Sequence, residues 1–237
     1  TGLTWSQKIG GGHELTAGAD YRWSEVTVDE WSGFQAGMPS ELKTTDSSQD
    51  FGGVFVQDSW KASEQWRINA SLRFDYVTNN GMVTGRDLVN QETTVTEVFE
   101  SHSETTWNPS LGAVFRASDR VSIRAAAYKG FRAATLRELY HSARIRSGVN
   151  LVNNPNLAPE RLVGLEGGID LEFSRASLGL TIFTNTVEDL IQNITRGTSG
   201  DLPEYIEPCG LIGPNETCRE LDNVGEMRAT GLELETV

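Results

Sequence analysis

The sequence predicts an all-β chain, an antiparallel up-and-down transmembrane β-barrel with long loops at one end. Two observations carry this. Apolar and polar residues alternate with period two in segments of about ten residues. The connections between those segments alternate between short and long.

The clearest segment spans residues 66–77. Trp66, Ile68, Ala70, Leu72, Phe74 and Tyr76 fall on one face, and Arg67, Asn69, Ser71, Arg73 and Asp75 on the other. A helix with that order would spread its apolar residues around every side, whereas a strand gathers them. The same pattern holds for Leu15, Ala17, Ala19, Tyr21 and Trp23, and for Val163, Leu165, Gly167, Ile169, Leu171 and Phe173. It recurs in Trp107, Leu111, Ala113 and Phe115, in Val121, Ile123, Ala125 and Ala127, and in Leu232 and Leu234 set against Glu233 and Glu235. About nine strands fit this template.

Tight turns are read at 10–12, 62–65, 118–120 and 174–176, and long polar loops at 31–50, 78–104, 131–159 and 196–222. Short turns on one side and long loops on the other are the habit of bacterial outer-membrane barrels. Trp5, Tyr21, Trp23, Trp60, Trp66, Tyr76 and Trp107 sit near strand ends, where aromatic girdles meet the two interfaces. No run approaches the roughly 20 apolar residues of a transmembrane helix. Alternation by itself also suits a soluble β-sandwich whose polar face meets water. Such a molecule would expose the apolar faces of 66–76 and 163–173 and aggregate.

The chain carries 33 acidic and 20 basic side chains, a net charge of -13. Neutralising phosphates takes clustered Lys and Arg, so no nucleic-acid partner is expected. Cys209 and Cys218 stand alone among few histidines. That argues against zinc and for a disulfide closing a short loop in an oxidising compartment, with two unrelated thiols as the other reading. His13, His102 and His141 join no nucleophile motif, and no HExxH, P-loop or dinucleotide fingerprint occurs. Neither an enzyme nor a resident metal or cofactor is expected. Both ends fall in strand-like sequence, so the chain reads as a piece of a larger barrel.

Several short motifs follow in a fixed order. GVFVQDSW at 53–60 leads through a turn into WRINASLRFDY at 66–76, and WNPSLGAVF at 107–115 precedes YKGFRAATLRELY at 128–140. NPNLAPE at 154–160 comes next, then a strand ending in Asp189, Leu190 and Ile191, then a last strand with Gly231, Leu232 and Glu233. In this order they resemble the barrel domain of TonB-dependent outer-membrane receptors, with Ala134 where that family usually has Pro. The resemblance covers nearly the whole chain.

The resemblance implies that residues 1–237 are part of a barrel of about 22 strands, with the plug domain and the remaining strands outside this chain. Alone, a sheet with two edges open to lipid would transport nothing. It implies a receptor for TonB-energised uptake of a scarce nutrient, first a ferric siderophore or similar iron complex, otherwise cobalamin, haem or an oligosaccharide. The implied partners are the TonB–ExbB–ExbD complex acting through the plug, the small-molecule ligand, and outer-membrane lipid and lipopolysaccharide around a monomeric barrel. A passive porin-like barrel and a soluble β-sandwich binding module are the alternatives, and the ordered motifs speak against the first.

Residues 124–146 hold Arg124, Lys129, Arg132, Arg137, His141, Arg144 and Arg146 against Glu138 alone. At the rim of a lumen this segment would attract an anionic ligand. Arg132, Arg137, His141, Arg144 and Arg146 are therefore candidate ligand contacts. Pairing with lumen acids such as Glu166 and Asp170, or with lipopolysaccharide phosphates, is the alternative. Trp31, Phe34 and Tyr205 in the outer loops are candidates to stack on a ligand. The prolines of 154–160 are read as fixing a turn and the register of the strand that follows.

Overall fold

The computed structural model describes residues 1–32, 38–146 and 148–236, without the side chains of 143–146; Phe34 lies outside the described residues. β1 (Gly2–Gly10), β2 (His13–Ser32), β3 (Glu41–Lys61) and β4 (Trp66–Asp87) follow one another as antiparallel hairpins. β5 (Glu92–Val98) folds back on the end of β4, and β6 (His102–Ser118) and β7 (Val121–Arg132) resume the meander. The next connection holds α1 (Leu136–Tyr140), β8 (Ala143–Arg146) and β9 (Val149–Val152). Beyond it come β10 (Glu160–Glu172) and β11 (Ser177–Glu188). The last connection holds β12 (Ile191–Thr198), β13 (Glu204–Ile206), β14 (Gly210–Ile212) and β15 (Thr217–Asn223), and β16 (Glu226–Thr236) closes the series.

The main sheet runs β1-β2-β3-β4-β6-β7-β10-β11-β16, in chain order, with every neighbour antiparallel. One continuous meander excludes the two-sheet sandwich. Between Trp66 and Tyr76 the outer face of β4 is apolar, a stretch matching the roughly 9–11 residues of a strand tilted through a bilayer. No helix is long and apolar enough to cross a membrane.

The strands are longer than the alternation suggests, which corrects the loops expected at 31–50 and 78–104. β2, β3 and β4 run for 20, 21 and 22 residues, so the β2–β3 connection shrinks to 33–40. Beyond Tyr76 both faces of the sheet are largely polar, with Val77 and Val83 as buried exceptions, and the period-two contrast fades. The ladder persists there because its backbone bonds need no apolar face. Cross-strand bonds add to it, with Thr27 donating to Asp46 and Thr44 to Asp29, each at 2.7 Å.

The opposite, polar face carries its own network. Asp20, Gly53 and Asp75 lie side by side in register on β2, β3 and β4. Arg73 crosses over Gly53, where a Cβ would stand 2.1 Å from its Nη2, and donates twice to Asp20 at 2.7 and 3.0 Å. Its Nε donates to Asp75, which is 1% exposed and also accepts from Asn108. Arg124 of β7 likewise donates to Asp170 at 3.1 Å and to Thr181 at 2.7 Å. Asp75 can be buried because Arg73 and Asn108 satisfy it, and the other charges sit half-exposed in mutual pairs.

The apolar core lies at the long-loop end. Ala134, Leu136, Leu139, Tyr140 and Leu157 pack together, with Phe99, Ile191 and Leu221 against them. A second sheet, β12-β15-β9-β8, covers the same end, with β15 and β9 parallel.

Candidate functional site

The long connections fold into a cap on the tall β2–β3–β4 wall, and the cap is held by few residues. Thr135 and Glu138 form a capping box that starts α1. Arg132, ending β7, donates to Glu138 at 2.9 Å and, through Nε and Nη2, to both oxygens of Glu160 at 2.8 Å. Glu160 also accepts the Ile191 amide at 2.9 Å. One guanidinium thus joins β7, α1, β10 and the start of β12. Burial pushes the Glu138 carboxyl up, but bonds from Arg132 and from the Thr135 amide and hydroxyl outweigh it and hold it below its ordinary range.

NPNLAPE at 154–160 closes the cap from the other side. The Asn156 amide donates to Asn154 Oδ1 at 3.0 Å, making a tight turn. Leu157 enters the core at 2% exposed. Asn223 of β15 accepts from the Ala158 amide at 2.8 Å and donates to the carbonyls of Ala158 and Asp189 at 2.9 and 2.7 Å. The motif fixes where β10 enters the sheet.

Between wall and cap lies a cavity of about 810 Å³. Lys43, Arg86, Glu97 and Phe99 line it from the wall side, and Asn153 and Glu220 from the cap. Nearby, Thr45 Oγ1, Tyr140 Oη and His141 Nε2 are buried with no hydrogen-bond partner. Burial also raises the Tyr140 hydroxyl above its ordinary pKa, so it stays protonated as a donor.

The sequence-derived candidates are placed unevenly. Arg132 is held by two carboxylates, and neither is Glu166 or Asp170; Asp170 pairs with Arg124 instead. Arg137 is exposed on α1. His141 stands 3.6 Å from Glu30, beyond hydrogen-bond reach, and is 18% exposed. Trp31 is exposed at the end of β2, opposite Leu42. Tyr205 is exposed on the β13–β14 hairpin, opposite Leu211. Arg144 and Arg146 lie on β8, but their side chains are outside the described residues. Cys209 and Cys218 are joined in a disulfide, Cα to Cα 5.8 Å, tying the hairpin to β15. None of the described candidates lines the cavity, though Ser32 and Ser142, next to Trp31 and His141, do. Sequence reasoning missed Lys43 and Arg86, because 31–50 and 78–104 read as loops. It missed Asn153 for want of any signal beyond the neighbouring NPNLAPE.

A meander apolar on one face, polar on the other and capped at its long-loop end is the wall of a membrane-spanning β-barrel. The chain belongs to the TonB-dependent receptors, since the family model described as TonB dependent receptor-like, beta-barrel matches residues 1–236. An iron-regulated outer membrane virulence protein of Vibrio cholerae is 26% identical over 144 residues, 59% of this chain and 18% of that protein. The ferric yersiniabactin uptake receptor FyuA of Yersinia pestis superposes with a TM-score of 0.68 at 13% identity, over 99% of this chain and 31% of the receptor. The ferric-catecholate import receptor Fiu of E. coli K12 superposes at 0.64 with 12% identity, over 99% and 34%. The chain thus spans under a fifth of its sequence relative and about a third of these receptors. The family is one of transport receptors, not of enzymes, and it points to the bacterial outer membrane.

Proposed function

We propose that this chain forms part of the wall and outer mouth of a receptor that takes up an iron complex, first of all a ferric siderophore, across the bacterial outer membrane. The cavity between wall and cap carries the reading. Its volume suits a small molecule, and Lys43 and Arg86, which line it together with Glu41, Glu97 and Glu220, give it cationic contacts on the wall side for an anionic complex. The iron-related names of the relatives support the same class of cargo. The remaining strands and a plug belong to the rest of the receptor, and TonB–ExbB–ExbD supplies energy through that plug. The polypeptide works as a monomer.

The test is binding of radiolabelled ferric siderophores to outer membranes from iron-starved cells, with and without charge reversal at Lys43→Glu and Arg86→Glu. The double variant is expected to bind at least tenfold more weakly while the receptor accumulates normally. Equal binding would remove the cavity from the uptake route.

A further inference from the structure

β5 has a neighbour on one side only. It pairs with residues 82–87 of β4 and stands off the path of the main sheet, and no strand among the described residues lies along its other edge. β6 takes the next stretch of β4, residues 66–79, so β5 and β6 lie almost end to end. Between them the Phe99 amide still donates to the Gly81 carbonyl at 3.0 Å. The β6–β7 ladder begins at Ser110 and Tyr128, so residues 102–109 of β6 also have no paired strand on that side.

The end of β7 explains the opening. Phe131 stacks on Phe51 at 5.8 Å between ring centroids. Phe51 is on β3, which is separated from β7 by β4 and β6 in the sheet. The end of β7 therefore leaves the line of the wall and crosses over its polar face. Pro109 has no amide hydrogen with which to continue the β6–β7 ladder.

An open strand edge is a template for pairing with another chain, and proteins commonly blunt one with lysine or proline. β5 has neither. Its seven residues are all exposed. Thr93, Thr94, Val95, Thr96 and Val98 are β-branched, which suits them to a strand. A register shift at Gly85 and Arg86 disturbs the start of the ladder, which is regular from Val95 to Val98. The edge lies past Tyr76, beyond the apolar band, in water.

Charge selects the occupant. Residues 87–104 carry Asp87, Glu92, Glu97, Glu100 and Glu104 and no lysine or arginine. No ion pair among the described residues involves Glu92 or Glu97. A second copy of this chain would set these carboxylates against one another, and like charges opposite each other destabilise a sheet. A strand bearing lysine or arginine would be attracted.

We propose that this edge docks an extended, lysine- or arginine-bearing segment of another protein, which adds as a strand beside β5 and the upper part of β6. Backbone bonds hold the segment, and Glu92 and Glu97 choose its charge. Val95 and Glu97 also line the cavity, but the edge lies in the plane of the sheet. Docking there does not depend on uptake of an iron complex, so either reading stands or falls without the other.

The test uses the intact receptor in neutral detergent, without siderophore, and a short end-blocked peptide of alternating lysine and threonine. Hydrogen exchange at residues 92–98 should slow by about tenfold on adding it. A glutamate–threonine peptide, or the lysine peptide methylated at every backbone nitrogen, should leave exchange unchanged. E92Q/E97Q, with an unaltered heat-modifiable gel shift that reports a folded barrel, should bind the lysine peptide about fivefold more weakly at low salt, the worth of two exposed ion pairs. No slowing by the lysine peptide, or equal slowing by its methylated form, would overturn the added strand. Equal binding by E92Q/E97Q would overturn the choice by charge. Slow exchange at 92–98 before any peptide is added would also overturn the site, because another part of the receptor would already fill the edge.

Discussion

The ring of Tyr140 lies flat against Gly81. A Cβ on Gly81 would stand 2.5 Å from Cδ1 and 2.6 Å from Cγ of that ring. Gly81 is on β4, past the apolar band, and Tyr140 ends α1, so this contact docks the cap on the wall. Phe99 holds the ring from another side, at 5.2 Å between centroids. Gln49 fastens the same junction, donating to Asn79 at 2.8 Å and to the Ala134 carbonyl at 3.0 Å.

Gly81→Val should therefore unseat the cap. Forcing a branched side chain into a filled contact costs about 1–3 kcal/mol. Limited proteolysis of the intact receptor should show new cleavage within 133–159, with the barrel's thermal transition unmoved. Gly52→Ala is the control, because a Cβ at Gly52 meets nothing within 4 Å. Equal protection of both variants would show that the Tyr140 contact does not hold the cap.

Arg132 is the second hold. Arg132→Gln leaves Glu138 and Glu160 without their shared cation. Charged hydrogen bonds of this kind are worth about 1.5–3 kcal/mol, reduced to roughly 1–2 here because the guanidinium is 43% exposed. Hydrogen exchange at the Ile191 and Leu139 amides should quicken by about tenfold, while amides of β3 and β4 keep their rates. Unchanged exchange at Ile191 would mean that Glu160 holds that amide without the arginine.

The same clasp should release in acid. Glu138 has a folded pKa below its ordinary 4.5. The stability it contributes is fully present above the ordinary value and is lost as pH falls through the depressed one. Protection of 133–159 should thus hold at pH 6 and fade below about pH 4.5. Glu138→Gln should lower protection at pH 6 and flatten that dependence, and a variant with an unaltered acid transition would assign it to another group.

How much of this was legible in the sequence depends on where each residue sits. Within the band, Trp66 to Tyr76 announces its strand because lipid on one face and polar partners on the other impose a strict alternation. Past Tyr76 that contrast is gone: Thr78, Asn79 and Asn80 are all polar, so the upper halves of β3 and β4 read as loops. The basic character of 124–146 was visible, but the partners of Arg132 were not. Glu160 lies 28 residues away, and only the folded cap brings it close. The parallel pairing of β15 with β9 joins Cys218 to Asn150, a contact without local signature. FRAATLRELY and NPNLAPE were recognisable as motifs, and the structure supplies their physical roles: capping box, core leucine and turn.

Reduction of Cys209–Cys218 should loosen one loop only. The bond closes a short ring, for which loop-closure entropy gives about 2–3 kcal/mol. Cys209→Ser with Cys218→Ser, or treatment with a thiol, should make residues 199–217 sensitive to protease. The Arg196 contacts to Glu220 and Asp222 at 2.7 and 2.6 Å should preserve the β12–β15 pairing beneath. Collapse of the whole cap on reduction would show that the hairpin carries more of its stability than these contacts indicate.

The outer face can be checked against the inner one with a charge placed on each side of β4. Leu72 is at the middle of the apolar stretch of β4 and is 40% exposed on the lipid side; Asn69, nearby on the same strand, faces the polar side. Arginine at a lipid-facing midplane position costs about 2–4 kcal/mol in membrane barrels, whereas lumen positions tolerate charge. Leu72→Arg should therefore lower the unfolding free energy of the intact receptor in phospholipid vesicles by that amount, and Asn69→Arg should change it by about 0.5 kcal/mol or less. The sign of the difference is the test, since a sheet with the opposite face toward lipid would suffer from Asn69→Arg instead.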